Sequence, residues 1–268
     1  MLLLWIILFA AFGGIASAAF AVVFLWVPEE RSARILPHFI SFATGALLGA
    51  ALLALLPQAM EGAGPSGAHA IGLVLVVGLG VFFVIEKLVL WWHAHSQDDE
   101  GGASQHALHH DHHHDHGRDQ ASGVLVLVGD SIHNALDGVL IAAAFLSDMS
   151  LGLVTTFAVA AHEIPHRVGD FAILVHAGLS RRRAVLFNLA TGIASVIGAI
   201  AAYFGLRRAI GVLPFALAFA AAGFLYIAVA GLIPGLHRRS DPRTSAAQVL
   251  LISLGIAVIA LAERLTDK

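Results

Sequence analysis

Long apolar runs separated by short polar intervals organise this chain. Eight stretches, at about 2–27, 35–57, 70–92, 122–146, 151–177, 183–206, 212–236 and 245–263, are each long enough to cross a bilayer, which takes roughly 20 mostly apolar residues. The runs are continuous and do not alternate over ten-residue segments, which points to helices and away from a β-barrel. Small residues recur inside them, as close packing of helices in lipid requires. The first stretch has no Lys or Arg before Arg31 and is too long for a signal peptide, so it reads as a retained helix. The expected fold is therefore all-α: a single polytopic membrane domain over residues 1–268 with eight transmembrane helices.

Composition agrees with the pattern. Of 268 residues, 58% are hydrophobic and 12% charged, and the mean hydropathy is +0.84. A soluble domain has about twice that charged share, so an ordinary soluble enzyme, a nucleic-acid binder and a disordered chain are excluded. There is no cysteine, which removes disulfides, thiolate metal sites and thiol catalysis. Eight spans put both termini on one side, and the distribution of basic residues says which. With the termini outside, the cytoplasmic side carries Arg31, Arg34, Lys87, Arg118, Arg181, Arg182, Arg183, Arg238, Arg239 and Arg243. The outer side carries only Arg207, Arg208, Arg264 and Lys268. Both termini are expected outside.

That topology makes residues 93–121 a cytoplasmic loop. It holds nine of the chain's 16 histidines, among them His109, His110, His112, His113, His114 and His116, interleaved with aspartates. So polar a tract builds no packed core. Its imidazole density suggests weak, multivalent metal binding, and the plainer reading is a solvated linker.

The polar residues inside the apolar runs carry the chemistry. The fourth run contains Asp130, His133, Asn134 and Asp137, and the fifth contains His162, Glu163, His166, Arg167 and Asp170. A charged residue at the centre of a spanning helix costs roughly 2.5–3.5 kcal/mol on insertion scales, so these groups are expected to face the protein interior or a wet cavity. His133 and Asp137 share a helix face, and His162, His166 and Asp170 form a stripe at the same four-residue interval. Facing helices would bring imidazole and carboxylate together, a donor set suited to zinc and also to iron or manganese. Pro165 removes a backbone hydrogen bond and is expected to kink the fifth helix or free a carbonyl.

These residues resemble a known family. His133-Asn134-Ala135-Leu136-Asp137-Gly138 is similar to the HNxxDG signature of the ZIP (Zrt-, Irt-like) metal transporters, and His162-Glu163-Ile164-Pro165-His166 to the HEIPH core of their next helix. The order of the motifs, the preceding His-rich loop, Leu56-Pro57-Gln58 and Gly223-Phe224-Leu225-Tyr226-Ile227 extend the resemblance over essentially the whole chain. It implies eight spans with both ends outside and transport of a divalent metal toward the cytoplasm. It also implies His133, His162 and His166 as ligands of a first site. Asn134, Asp137 and Glu163 would belong to that site or an adjacent one, and Asn188 would line the path. The chain departs from the family's pattern at Arg167, where many members have Glu, and lacks the His and Glu common near Ala54 and Gln58 and the Glu common near Gly235.

Arg167 lies four after Glu163 and three before Asp170 and can pair with either. It either takes the electrostatic part of a second metal ion or points to a lumen and balances Asp170. The expected function is import of a divalent transition metal, most of all Zn2+, with Fe2+, Mn2+ or Cd2+ as further substrates, by alternating access around this site. Protonation of imidazole near neutral pH would assist release. The expected partners are the metal ions and the lipid bilayer, with no nucleic acid and a homodimer as the candidate assembly. An Ala-rich chain of this length suggests a bacterial inner membrane. Two rivals remain. His162-Glu163-Ile164-Pro165-His166 also satisfies the HExxH pattern of zinc proteases, although Pro165 disturbs the helix geometry that such a site needs. A membrane metal sensor that does not transport is the other.

Overall fold

The computed structural model describes residues 1–24, 27, 29–98, 116–176, 179–237 and 241–266. They form eight helical rods with no strand among them. In chain order the rods are α1 (2–24), α2 (29–63), α3 (Ala68–Asp98), α4 (His116–Ser147), α5 (Met149–His176), α6 (Arg181–Arg208), α7 (213–237) and α8 (Pro242–Thr266). Six segments are long and apolar enough to cross a membrane: Leu2–Phe20, Arg34–Ala63, Pro65–Leu88, Arg181–Arg208, Ile210–His237 and Pro242–Leu265. Helices α4 and α5 reach 32 and 28 residues but are more polar than those six, because they carry the charged motifs. Helix takes up both ends of the 93–121 stretch, since α3 reaches Asp98 and α4 begins at His116. His109, His110, His112, His113 and His114 lie outside the described residues.

Burial is arranged for lipid. The apolar windows of α8 and α3 are only 11% and 17% buried, and Leu250, Val249, Val76 and Leu261 lie on the outside. The interior instead holds alanines and small residues together with Asp130, Asn134, Asp137, His162, Glu163, Arg167 and Asn188, all buried. An interior that holds charge and an exterior rich in large apolar side chains are what a bilayer selects.

Glycines set how closely the rods approach. A Cβ on Gly138 of α4 would lie 1.8 Å from the Ser195 carbonyl oxygen of α6, and one on Gly198 would lie 2.0 Å from the Ala135 carbonyl oxygen. The α2–α8 crossing repeats the device, with Gly45 against Ile252 at 2.0 Å and Gly255 against Phe42 at 2.4 Å. Backbones in direct contact gain dispersion that hydrophobic transfer cannot supply inside lipid.

Three rods contain a π-helical turn, at Phe12–Ala16, Ala50–Leu55 and Ile227–Leu232. The second and third end two residues before Pro57 and Pro234 respectively. A wider turn there moves the carbonyl that the pyrrolidine ring would strike. α5 continues as an α-helix through Pro165.

The α4–α5 connection is the feature that builds the site. Only Asp148 separates the two helices. Its Oδ1 accepts the backbone N–H of Ser150 (2.7 Å) and of Leu151 (3.3 Å), together with the Ser150 hydroxyl. The Ser150 hydroxyl bond, with help from the backbone donors, holds the Asp148 carboxyl below the usual carboxylate range. A one-residue turn makes depth along one helix equal depth along the other. His133 lies 15 residues before Asp148 and His162 14 after it, so both sit about 21–23 Å from the turn at 1.5 Å per residue. Asp130 and His166 are each 18 residues from Asp148 and form the next layer.

Candidate metal centre

The first layer holds four donors. His133, Asp137, His162 and Glu163 each offer one ligand atom, and these atoms lie within 4.8 Å of one another. Five of the six separations lie between 3.4 and 4.0 Å. The His133 and His162 Nε2 atoms are 3.4 Å apart. From His133 Nε2 to Asp137 Oδ2 is 3.8 Å, and to Glu163 Oε1 it is 3.5 Å. From His162 Nε2 to the same oxygens is 3.4 and 4.0 Å. A tetrahedron of ligands at ~2.0–2.1 Å from zinc has edges of about 3.3–3.4 Å. The four atoms therefore form a slightly expanded tetrahedron of zinc dimensions.

The polar accounting agrees. Asp137 Oδ2 and Glu163 Oε1 are buried and have no hydrogen-bond partner. Buried carboxylate oxygens left this way are costly unless an ion meets them. His162 is oriented from behind, because its Nδ1 lies 3.1 Å from the Ala158 carbonyl oxygen. A proton on Nδ1 would donate there and leave the Nε2 lone pair facing the centre. The Phe224 ring of α7 covers His162 edge-on at 6.2 Å.

The second layer joins Asp130, His166 and Asp170. His166 Nδ1 is 2.9 Å from Asp170 Oδ2 and 3.7 Å from Asp130 Oδ1. The His166 ring stacks on His133 at 5.3 Å. Its side chain is 46% exposed, against 23% for His133, 2% for His162 and none for Glu163. The cluster thus opens to its surroundings at His166.

Arg167 stands between the layers and is wholly buried. Its Nε donates to Glu163 Oε2 at 2.8 Å, and Nη1 donates to Asp130 Oδ2 at 3.0 Å and to the Asn188 carbonyl at 2.9 Å. Nη1 also donates to Thr191 Oγ1, and Nη2 to Asn134 Oδ1. Of the two partners the spacing allowed, Arg167 takes Glu163, and Asp170 is paired with His166 instead. Asn134 in turn donates from Nδ2 to the Asp130 carbonyl (2.8 Å) and to Asp130 Oδ1 (2.9 Å).

His133, Asn134, Asp137, His162, Glu163, His166, Arg167 and Asp170 thus lie in one connected cluster, but in two layers. His162 and His166 fall in different donor groups, although the HEIPH resemblance implied one site for both. Asn188 is buried on α6, with its carbonyl on Arg167 and both side-chain polar atoms unpartnered. His116 is the first residue of α4. Sequence reasoning placed Asp130 among the interior charges without a ligand role, and gave Thr191 and Phe224 none. Asp130 was findable, since it precedes Asn134 by four and Asp137 by seven on one face. Thr191 and Phe224 reach the cluster through tertiary packing alone.

A separate cavity of about 210 Å³ lies at the α4–α5 turn, lined by Gln58, Ser147, Asp148, Ser150 and Glu263 among others. Ser150 is twelve residues from His162, about 18 Å along α5. The buried residues Leu151, Val154 and Ala158 fill the interval.

An all-helical bundle with an apolar exterior and a charged, donor-rich interior defines a polytopic membrane protein with a candidate metal centre in its core. The chain belongs to the ZIP zinc transporter family, whose model matches residues 2–263. It is 36% identical over 255 residues to zinc transporter ZIP13 of Pongo abelii, covering 89% of this chain and 70% of that protein. ZIP13 of Homo sapiens is 33% identical over 273 residues, covering 89% of this chain and 74% of that one. Zinc transporter SLC39A7 of Rattus norvegicus is 32% identical over 340 residues, covering 96% and 72%.

Proposed function

We propose that this chain carries zinc across its membrane toward the cytoplasm, binding the ion at His133, Asp137, His162 and Glu163. The observation that carries the reading is the donor tetrahedron with five edges of 3.4–4.0 Å and two unpartnered carboxylate oxygens. Two imidazoles and two carboxylates also accept Fe2+, Mn2+ or Cd2+, which are the further substrates of this reading. No step is hydrolytic. Glu163 is tied to Arg167 and the two histidines of the HExxH pattern face different layers, so a zinc-activated water has no geometry here.

In this reading α4 and α5 join the six apolar segments to give eight spans, with both termini outside and the 93–121 tract cytoplasmic. His166 and Asp170 then line the cytoplasmic mouth, with Arg167 and Asn188 walling the path. The cavity at Asp148 is the outer vestibule, sealed from the ion by Val154 and Ala158. The conformation is that of a carrier open inward, and alternating access would open the Asp148 end. The loop histidines His109, His110, His112, His113, His114 and His116 would receive the released ion. The membrane is a bacterial inner membrane and the assembly a homodimer, checked by fractionation and by light scattering.

The test is zinc uptake into proteoliposomes with a luminal fluorescent reporter. Saturable uptake abolished by His133→Ala/His162→Ala is the expected result. No uptake across several metals and pH gradients, with zinc still bound, would turn the reading into that of a sensor.

A further inference from the structure

Five oxygens converge on the Arg167 guanidinium: Glu163 Oε2, Asp130 Oδ2, Asn134 Oδ1, the Asn188 carbonyl and Thr191 Oγ1. They come from three helices. Two are carboxylate, one amide, one backbone carbonyl and one hydroxyl. That is the donor set of a hard divalent cation such as Mn2+ or Ca2+. Asp130, Asn134, Glu163, Asn188 and Thr191 are all buried, so the oxygens form an enclosed cage with a cation already inside it. A guanidinium stays charged at every accessible pH, and this one has no exposed surface. It is a permanent occupant.

Resting on the zinc reading above, we propose that Arg167 is a built-in cation filling an oxygen-lined second site, so that the centre carries one exchangeable ion. The arrangement also divides Glu163. Oε2 belongs to Arg167, and Oε1 is left for the transported ion. Arg167 is thus a positioning residue for the first layer and the plug of the oxygen cage. Through Asn188 and Thr191 it fastens both to α6. Removing the guanidinium leaves a cage of the right chemistry in which Glu163 Oε2 and Asp130 Oδ2 have lost their cation, and a hard divalent cation would enter it.

The experiment uses full-length protein in detergent, loaded with zinc, freed of excess metal and titrated with Mn2+ by electron paramagnetic resonance. Wild type and Arg167→Lys, which keeps a cation in the cage, are expected to show no saturable Mn2+ at this position. Arg167→Ser is expected to gain one Mn2+ per chain, lost again in Arg167→Ser/Asp130→Asn. The thermal midpoint of Arg167→Ser should rise with Mn2+ while that of wild type stays flat. An Arg167→Ser chain that is monodisperse yet gains no Mn2+ would overturn the inference. So would one recovered and melting identically with and without Mn2+, or a wild-type Mn2+ site lost on Asp130→Asn. A parallel zinc measurement on His133→Ala/His162→Ala separates the two claims. Equal zinc in that variant and wild type counts against the zinc site alone, and the Mn2+ result still decides the cage.

Discussion

Glu163 and Arg167 share one carboxylate oxygen and leave the other free. Arg167 Nε holds Oε2 at 2.8 Å, and Oε1 faces His133 at 3.5 Å with no hydrogen bond. Four residues apart on α5, the pair converts a two-oxygen ligand into a one-oxygen ligand of fixed direction. Glu163→Gln keeps the shape, removes the charge and puts an amide where either oxygen stood. Zinc affinity is expected to fall by about 100-fold, at the upper end of what disturbed ligand shells cost. Equilibrium zinc competition with a chelating dye checks this, and an unchanged affinity would remove Glu163 from the centre.

His162 and His166 should separate experimentally. His162→Ala deletes a buried member of the tetrahedron and is expected to abolish tight zinc binding. His166→Ala deletes a half-exposed ring paired with Asp170 and is expected to weaken binding by about tenfold or less, as a neighbour of the ligand shell does. Diethylpyrocarbonate labelling resolved by peptide mass spectrometry should mark His166 well before His162. Equal labelling would contradict the layering.

The α4–α6 crossing admits no methyl group. Gly138→Ala places a Cβ against the Ser195 carbonyl and is expected to cost about 1–3 kcal/mol, the range for overpacked interiors. Gly72→Ala, where nothing lies within 4 Å, is the control and should leave the melting temperature unchanged or raise it. A loss confined to Gly138→Ala on thermal unfolding in detergent checks the prediction.

Asp148 caps α5 and sets the register of the hairpin. Asp148→Ala is expected to cost about 1 kcal/mol. The carboxyl is held below its unfolded value, so its contribution is fully present above about pH 4, the unfolded carboxylate range. It is lost as pH falls through the lower folded value. The stability gap between wild type and Asp148→Ala should therefore be flat from pH 5 to 8 and close in acid. Asp148→Asn should keep the cap and lose that pH dependence. Unfolding series at several pH values decide it.

Much of this was legible in the sequence. Continuous apolar runs locate the rods because lipid leaves a backbone no other arrangement. The charges of α4 and α5 locate the site because lipid would reject them. The pairing of His133 with His162 by depth needed the one-residue turn at Asp148, which the structure supplies. Other features were not legible. Residues at i, i+4 and i+8 share a face but span about 12 Å, more than one ion can bridge, so spacing alone could not assign His162, His166 and Asp170 to layers. Arg167 had two partners in reach along its own helix, and α6 decided between them by offering the Asn188 carbonyl and Thr191. The π turns left no mark in the hydrophobic pattern, and only the prolines two residues beyond two of them hint at their position.

Those turns also bear on how the chain tolerates change in length. A π turn holds about one residue more than the α turn it replaces, and each residue of an α-helix turns the chain by roughly 100°. Deleting any one residue between Ala50 and Leu55 could restore an unbroken helix without severing the rod. Winding the same residues, without a deletion, as unbroken α-helix would instead swing Gln58 by about 100° away from the cavity at Asp148 and bring Pro57 back against a carbonyl. The widened turn thus acts as an indexing step, and the alignment of α2 with the vestibule depends on the parity of a single inserted residue.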